Sequence, residues 1–115
     1  MISHKSLFKK YSYLIFSLLF LSVNAQSATK IDKMEVQGDL VIFTTIAAKT
    51  SAAPECMSSE HSNQWALNLS TNEGIELYSF LLIALSSSAS IDITPANDCQ
   101  GTENYERVLS LSLSV

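Results

Sequence analysis

The sequence predicts a small, mainly β domain with one helix, and three observations carry that prediction. The C-terminal run alternates strictly, with Leu109, Leu111, Leu113 and Val115 on one side and Ser110, Ser112 and Ser114 on the other; this period of two belongs to a strand with one buried and one wet face. Short β-branched and aromatic runs separated by Gly, Pro, Asn and Ser punctuate the preceding residues. A single longer stretch, Glu73 to Ser86, has apolar residues at helical rather than strand spacing.

Ahead of these elements lies a leader. Lys5, Lys9 and Lys10 form a basic start, Tyr13 to Val23 is an apolar run interrupted by Ser17 and Ser22, and Val23-Asn24-Ala25 supplies the small residues of a cleavage site. An uncleaved anchor is disfavoured, because the run is about 11 residues and crossing a bilayer core takes about 20. Residues 1–25 are therefore expected to be a signal peptide and residues 26–115 a single domain, exported to the periplasm or the medium, with no stable membrane insertion.

Removing the leader changes the charge. The whole chain carries a formal −4, whereas residues 26–115 keep Lys30, Lys33, Lys49 and Arg107 against all 11 acidic residues, a formal −7. That excess repels phosphate backbones, so no nucleic-acid partner is expected. About 90 residues bury a thin core, and Cys56 and Cys99, 43 apart in sequence, are expected to form one disulfide in an oxidising compartment. Closing a loop of that length is worth roughly 4 kcal/mol in the chain-entropy description.

The elements follow in order. Lys30 to Gln37 alternates imperfectly and ends at Gly38-Asp39, where glycine permits the positive φ of a tight hairpin. Leu40 to Ile46 is apolar on both faces near its start, as expected for a strand covered on both sides. Lys49 to Asn63 reads as a loop held by the disulfide. Trp65, Leu67 and Leu69 then alternate with Ala66, Asn68 and Ser70 as a third strand. Thr71 or Asn72 is the expected helix N-cap, with Glu73 in the first turn.

Within the helix, Tyr78, Leu81, Leu82 and Leu85 form the expected inward stripe, with Ile75 close to it. Phe80, Ile83 and Ala84 occupy much of the remaining circumference, so a second covered face is expected. A homo-oligomer buried around Phe80 and Ile83 would supply that cover. Ala89 to Thr94 is the fourth strand, stopped by Pro95, and Ala96 to Asn104 is a polar loop before the last strand. The resulting order β-β-β-α-β-β is that of an OB-fold-like five-stranded barrel, in competition with an open antiparallel sheet crossed by one helix.

No catalytic or cofactor signature stands out, and the protein is expected to be a binder rather than an enzyme. Ser58-Ser59-Glu60-His61-Ser62 is too compact in sequence to promise a nucleophile, base and orienter. Asn97, Asp98, Glu103 and Asn104 lack the spacing of a calcium loop, so no metal is expected. The sequon Asn68-Leu69-Ser70 falls inside a strand. Sugar sites combine an aromatic platform with amide and carboxylate partners. Tyr105 with Asn97, Asp98 and Asn104 is the candidate set; Trp65 beside Asn63 and Gln64 is the weaker one, because its phase with Leu67 and Leu69 points to the core.

With Trp65-Ala66-Leu67-Asn68-Leu69, the helix Ile75 to Leu85 and Asn104-Tyr105-Glu106-Arg107-Val108 in place, the chain resembles small exported bacterial OB-fold proteins, the pentameric B subunits of AB-type toxins of the subtilase-cytotoxin type. The resemblance implies ring-forming assembly and glycan recognition. The competing expectation is a cell-envelope protein-interaction module, such as a hydrolase inhibitor, that uses the Ala96 to Asn104 loop.

Overall fold

The computed structural model describes residues 28–114. The expected leader, residues 1–25, and the final Val115 lie outside the described residues. Five strands and one helix follow in the chain order read from the sequence: β1 (Ile31–Gln37), β2 (Leu40–Thr45), β3 (Gln64–Asn68), α1 (Asn72–Ser87), β4 (Ser90–Pro95) and β5 (Glu106–Ser114). A short 3₁₀ turn, Ser59–His61, interrupts the β2–β3 loop.

The strands make one mixed sheet in the order β1-β2-β3-β5-β4, antiparallel throughout except for the parallel contact of β3 with β5. Among the described residues the stretch just ahead of β1 meets the other outer strand, β4, at one bridge. Thr29 N donates to Ile91 O at 2.9 Å and Ile91 N donates to Thr29 O at 2.7 Å. The fold is thus a five-stranded mixed sheet of OB-like strand order with one helix, and among the described residues no continuous ladder closes it between β1 and β4.

Two irregularities decide which side chains face inward. In β1 the register shifts between Ile31 and Lys33, so Asp32 is an extra residue; Ile31 and Met34 consequently both pack on the core despite their odd spacing. In β5, Thr94 pairs with Ser110 but Pro95 with Val108, which leaves Leu109 as the extra residue. Glu106 and Val108 are buried ahead of this bulge, Leu111 and Leu113 pack on the core after it, and Leu109 itself is exposed. The expected single row of Leu109, Leu111 and Leu113 is therefore broken at its first member, because one inserted residue exchanges the two faces of a strand.

The main core joins Val41, Phe43, Trp65, Leu67, Leu81, Ala84, Ile91 and Val108. A second cluster of Leu40, Ile42 and Ala66 lies on the other face of β2 and β3, covered by Tyr105 from the β4–β5 loop. This is why β2 is apolar on both faces.

Thr71 caps the helix, its Oγ1 accepting from Gly74 N at 3.0 Å, and Ser88 in the left-handed region ends it. The inward stripe is Gly74, Leu77, Tyr78, Leu81 and Ala84. It is rotated from the expected one: Leu82 and Leu85 are exposed and Ala84 is buried. Gly74 sets this rotation, because the helix lies so close to the end of β3 that a Cβ there would overlap the carbonyl of Asn68. Phe80 and Ile83, expected to be covered on a second face, are 43% and 54% exposed in the single chain.

Candidate functional site

The disulfide brings the site together. Cys56 in the β2–β3 loop is bonded to Cys99 in the β4–β5 loop, with their Cα atoms 6.0 Å apart. Ser58 N donates to Asn104 O at 3.0 Å, a second tie between the same two loops. Two segments far apart in sequence are thereby fixed side by side over the outer face of β2 and β3.

Tyr105 is the aromatic centre of this surface. Its ring lies against Leu40, Ile42 and Ala66, and it stacks on the His61 imidazole with ring centres 3.8 Å apart and planes 21° from parallel. His61 Nδ1 is 2.9 Å from Gln64 Oε1, which fixes the orientation of the imidazole. Thr102 Oγ1 donates to Tyr105 O at 2.8 Å and Tyr105 N donates to Thr102 O at 3.1 Å, so the tyrosine backbone is held by a fully buried threonine. His61, read from sequence only as part of the loop held by the disulfide, is the stacking partner of the tyrosine.

The other candidates divide. Asn104 is exposed next to Tyr105 and Asn97 is exposed at a left-handed turn with φ 63°. Asp98 is committed elsewhere: Arg107 Nε donates to its Oδ1 at 2.7 Å and Arg107 Nη2 to its Oδ2 at 2.9 Å, while Gln100 N reaches Oδ1 at 3.2 Å. The hydrogen bond from Arg107 holds the Asp98 carboxyl below the ordinary carboxylate range. With both oxygens taken, Asp98 braces the loop, and the surface presents the Asp98–Arg107 pair rather than a free carboxylate.

Trp65 belongs to the core, as its phase indicated, at 4% exposure. Its ring face is occupied by Lys49, whose Nζ sits 4.4 Å from the ring centroid, so the indole offers no stacking platform to a sugar. Lys49 Nζ also donates to Glu106 Oε1 at 3.0 Å and to the Gln64 carbonyl, and Ser51 Oγ donates to Glu106 Oε2 at 3.4 Å. Burial pushes the lysine below its usual range, against the opposing pull of Glu106. This ion pair ties the β2–β3 loop to β5 and escaped the sequence reading, since neither residue stands in a motif and they are 57 apart.

Asn68, the sequon residue, is structural as well. Its Nδ2 donates to Gly101 O at 2.7 Å and its Oδ1 accepts from Ser70 N at 2.8 Å, linking the end of β3 to the β4–β5 loop. Among the described residues no group of three His, Cys, Asp or Glu is arranged to hold a metal ion, and no helix is long and apolar enough to cross a membrane. No family model, curated protein or solved structure matches the chain.

Proposed function

We propose that this is an exported binding domain that recognises a glycan or protein ligand at the surface around Tyr105 and assembles as a homo-oligomer through α1. The observation that carries the reading is the Tyr105–His61 stack, anchored where two disulfide-linked loops meet over the outer face of β2 and β3. Strands two and three with the neighbouring loops are where OB barrels bind oligomeric ligands. A pinned aromatic face with the exposed Asn104 amide beside it suits the CH groups and directional hydroxyls of a sugar. The exposed apolar row on α1 supports the oligomer, and with the expected leader the protein would act in the periplasm or outside the cell, in the manner of a toxin B subunit.

The second reading, an envelope protein-interaction module without sugar binding, draws on the shape of the β4–β5 loop. Asn97 and Glu103 both hold positive φ, 63° and 58°, on either side of Cys99, so the loop is presented in a fixed rather than adaptable form. A glycan array separates the two. Sugar signals that disappear in Tyr105→Ala support the first; a blank array together with capture of an envelope hydrolase through the Ala96–Asn104 loop supports the second and retires the first.

A further inference from the structure

The bulge in β1 puts a carboxylate where a regular strand would have none. Asp32 is skipped by the pairing, which runs from Ile31 with Thr45 straight to Lys33 with Thr44, and such an extra residue re-aims its side chain. Here it lines a cleft of about 260 Å³ together with Thr44, Asn63 and the segment Thr45 to Lys49. Asp32 and Asn63 are exposed and Thr44 is half-buried. Lys49 also lines the cleft, but its ammonium is held 3.0 Å from Glu106 Oε1. Thr44 pairs with Lys33 on one side and Gln64 on the other, so these three side chains share the outer face of the sheet. Gln64 Oε1 is the atom 2.9 Å from His61 Nδ1, and Ile42 and Ala66, the next pair on that face, lie under Tyr105. The cleft is therefore one cross-strand step from the aromatic stack.

We propose that this cleft holds the terminal, uncharged sugar ring of a glycan whose next ring lies against the His61–Tyr105 stack, with Asp32 as the residue that fixes its hydroxyls. The assignment rests on the glycan reading of the Tyr105 surface and extends that surface across β2 to β1. A carboxylate accepts from two neighbouring hydroxyls at once, while the Thr44 hydroxyl and the Asn63 amide each donate and accept. The set is thus a carboxylate, a hydroxyl and an amide around one small space, which suits a polyhydroxy ring. The volume is just below the ~300 Å³ at which small-ligand sites begin, so one ring enters and the rest of the chain stays outside. Lys33, the cross-strand neighbour of Thr44, opposes Asp32 in sign. With the two charges balanced, a neutral ring is favoured over an anionic or cationic one.

The test is amide NMR on the protein purified after export, titrated with lactose, cellobiose, maltose and diacetylchitobiose, and with sialyllactose, which adds one carboxylate to lactose. At least one neutral sugar is expected to shift the Asp32, Thr44 and Asn63 amides together with that of Tyr105, saturating below ~10 mM. Asp32→Asn should weaken that sugar about tenfold, the loss of a charge-assisted hydrogen bond, and Asn63→Ala should weaken it as well, both with the amide spectrum of the core unchanged. Sialyllactose should bind no tighter than lactose. Responses confined to Tyr105 and His61, an Asp32→Asn affinity equal to that of the parent, or a preference for the sialylated sugar overturn the assignment and leave the Tyr105 reading standing. No response to any of the sugars up to ~10 mM overturns it together with the glycan reading of that surface.

Discussion

Lys49 reaches from the β2–β3 loop to place its ammonium 3.0 Å from Glu106 Oε1, and the two side chains are only 8% and 0% exposed. A pair this deep gives back in attraction much of what its desolvation costs, so its net value is small while the cost of breaking it is large. Glu106→Ala strands a buried cation and is expected to cost about 3–5 kcal/mol. The double change Lys49→Met with Glu106→Leu should recover most of that loss. Urea unfolding of the two variants checks this; a double variant as unstable as Glu106→Ala would show that the pair contributes through geometry that apolar groups do not replace.

The Asp98–Arg107 pair predicts an acid limb in the stability profile. The folded-state carboxyl lies below its reference value of 3.8, so the unfolded chain binds the proton first as pH falls. The contribution is therefore fully present above that reference value and is lost as pH drops through the folded-state value. Both partners are partly exposed, which limits the effect to about 1 kcal/mol or less and makes it sensitive to salt. Unfolding midpoints measured between about pH 2 and 7 should fall less steeply for Asp98→Asn than for the parent; identical slopes would exclude the pair as a source of acid sensitivity.

Gly74→Ala sets two effects against each other. Alanine favours a helix by about 1 kcal/mol over glycine, yet a Cβ at this site overlaps the backbone carbonyl of Asn68, which cannot swing aside as a flexible side chain would. Overpacking wins, and a net loss of about 1–3 kcal/mol is expected. Thermal unfolding followed by circular dichroism decides it, and a more stable Gly74→Ala would mean that α1 can move away from β3 without penalty.

Light scattering across a concentration series tests the exposed row of α1. Ile75, Phe80, Leu82, Ile83 and Leu85 are all exposed although the helix is already packed on its other side. Phe80→Ser with Ile83→Ser should dissociate the proposed oligomer while leaving the unfolding free energy of the isolated chain within about 0.5 kcal/mol, as surface changes do. A parent protein that is a strict monomer at every concentration removes the oligomer from the proposed function.

Much of the barrel was legible because alternation and turn chemistry are local. Trp65 and Leu67, Gly38 with its positive φ, the Thr71 cap and the Cys56–Cys99 pair all came from patterns a few residues long or from simple counting. The phase of α1 did not, because leucine, isoleucine and phenylalanine surround the helix and leave the direction of its buried face to the close approach at Gly74. The extra residues Asp32 and Leu109 were equally hidden, since a bulge is a relation between two strands. At the candidate site, Tyr105 was readable as an aromatic among amides, but its partner His61 and the capture of Asp98 by Arg107 depend on which loops the fold sets together.

The single disulfide has a consequence for when the proposed binding surface is complete. It couples the loop that carries His61 to the loop that carries Tyr105, and thiols in a reducing cytosol stay unpaired. Without the bond the His61–Tyr105 stack loses its covalent brace and is left to the Ser58–Asn104 hydrogen bond and the packing of Tyr105 on β2 and β3. With the proposed export, the proposed binding surface would thus be completed by the chemistry of the destination.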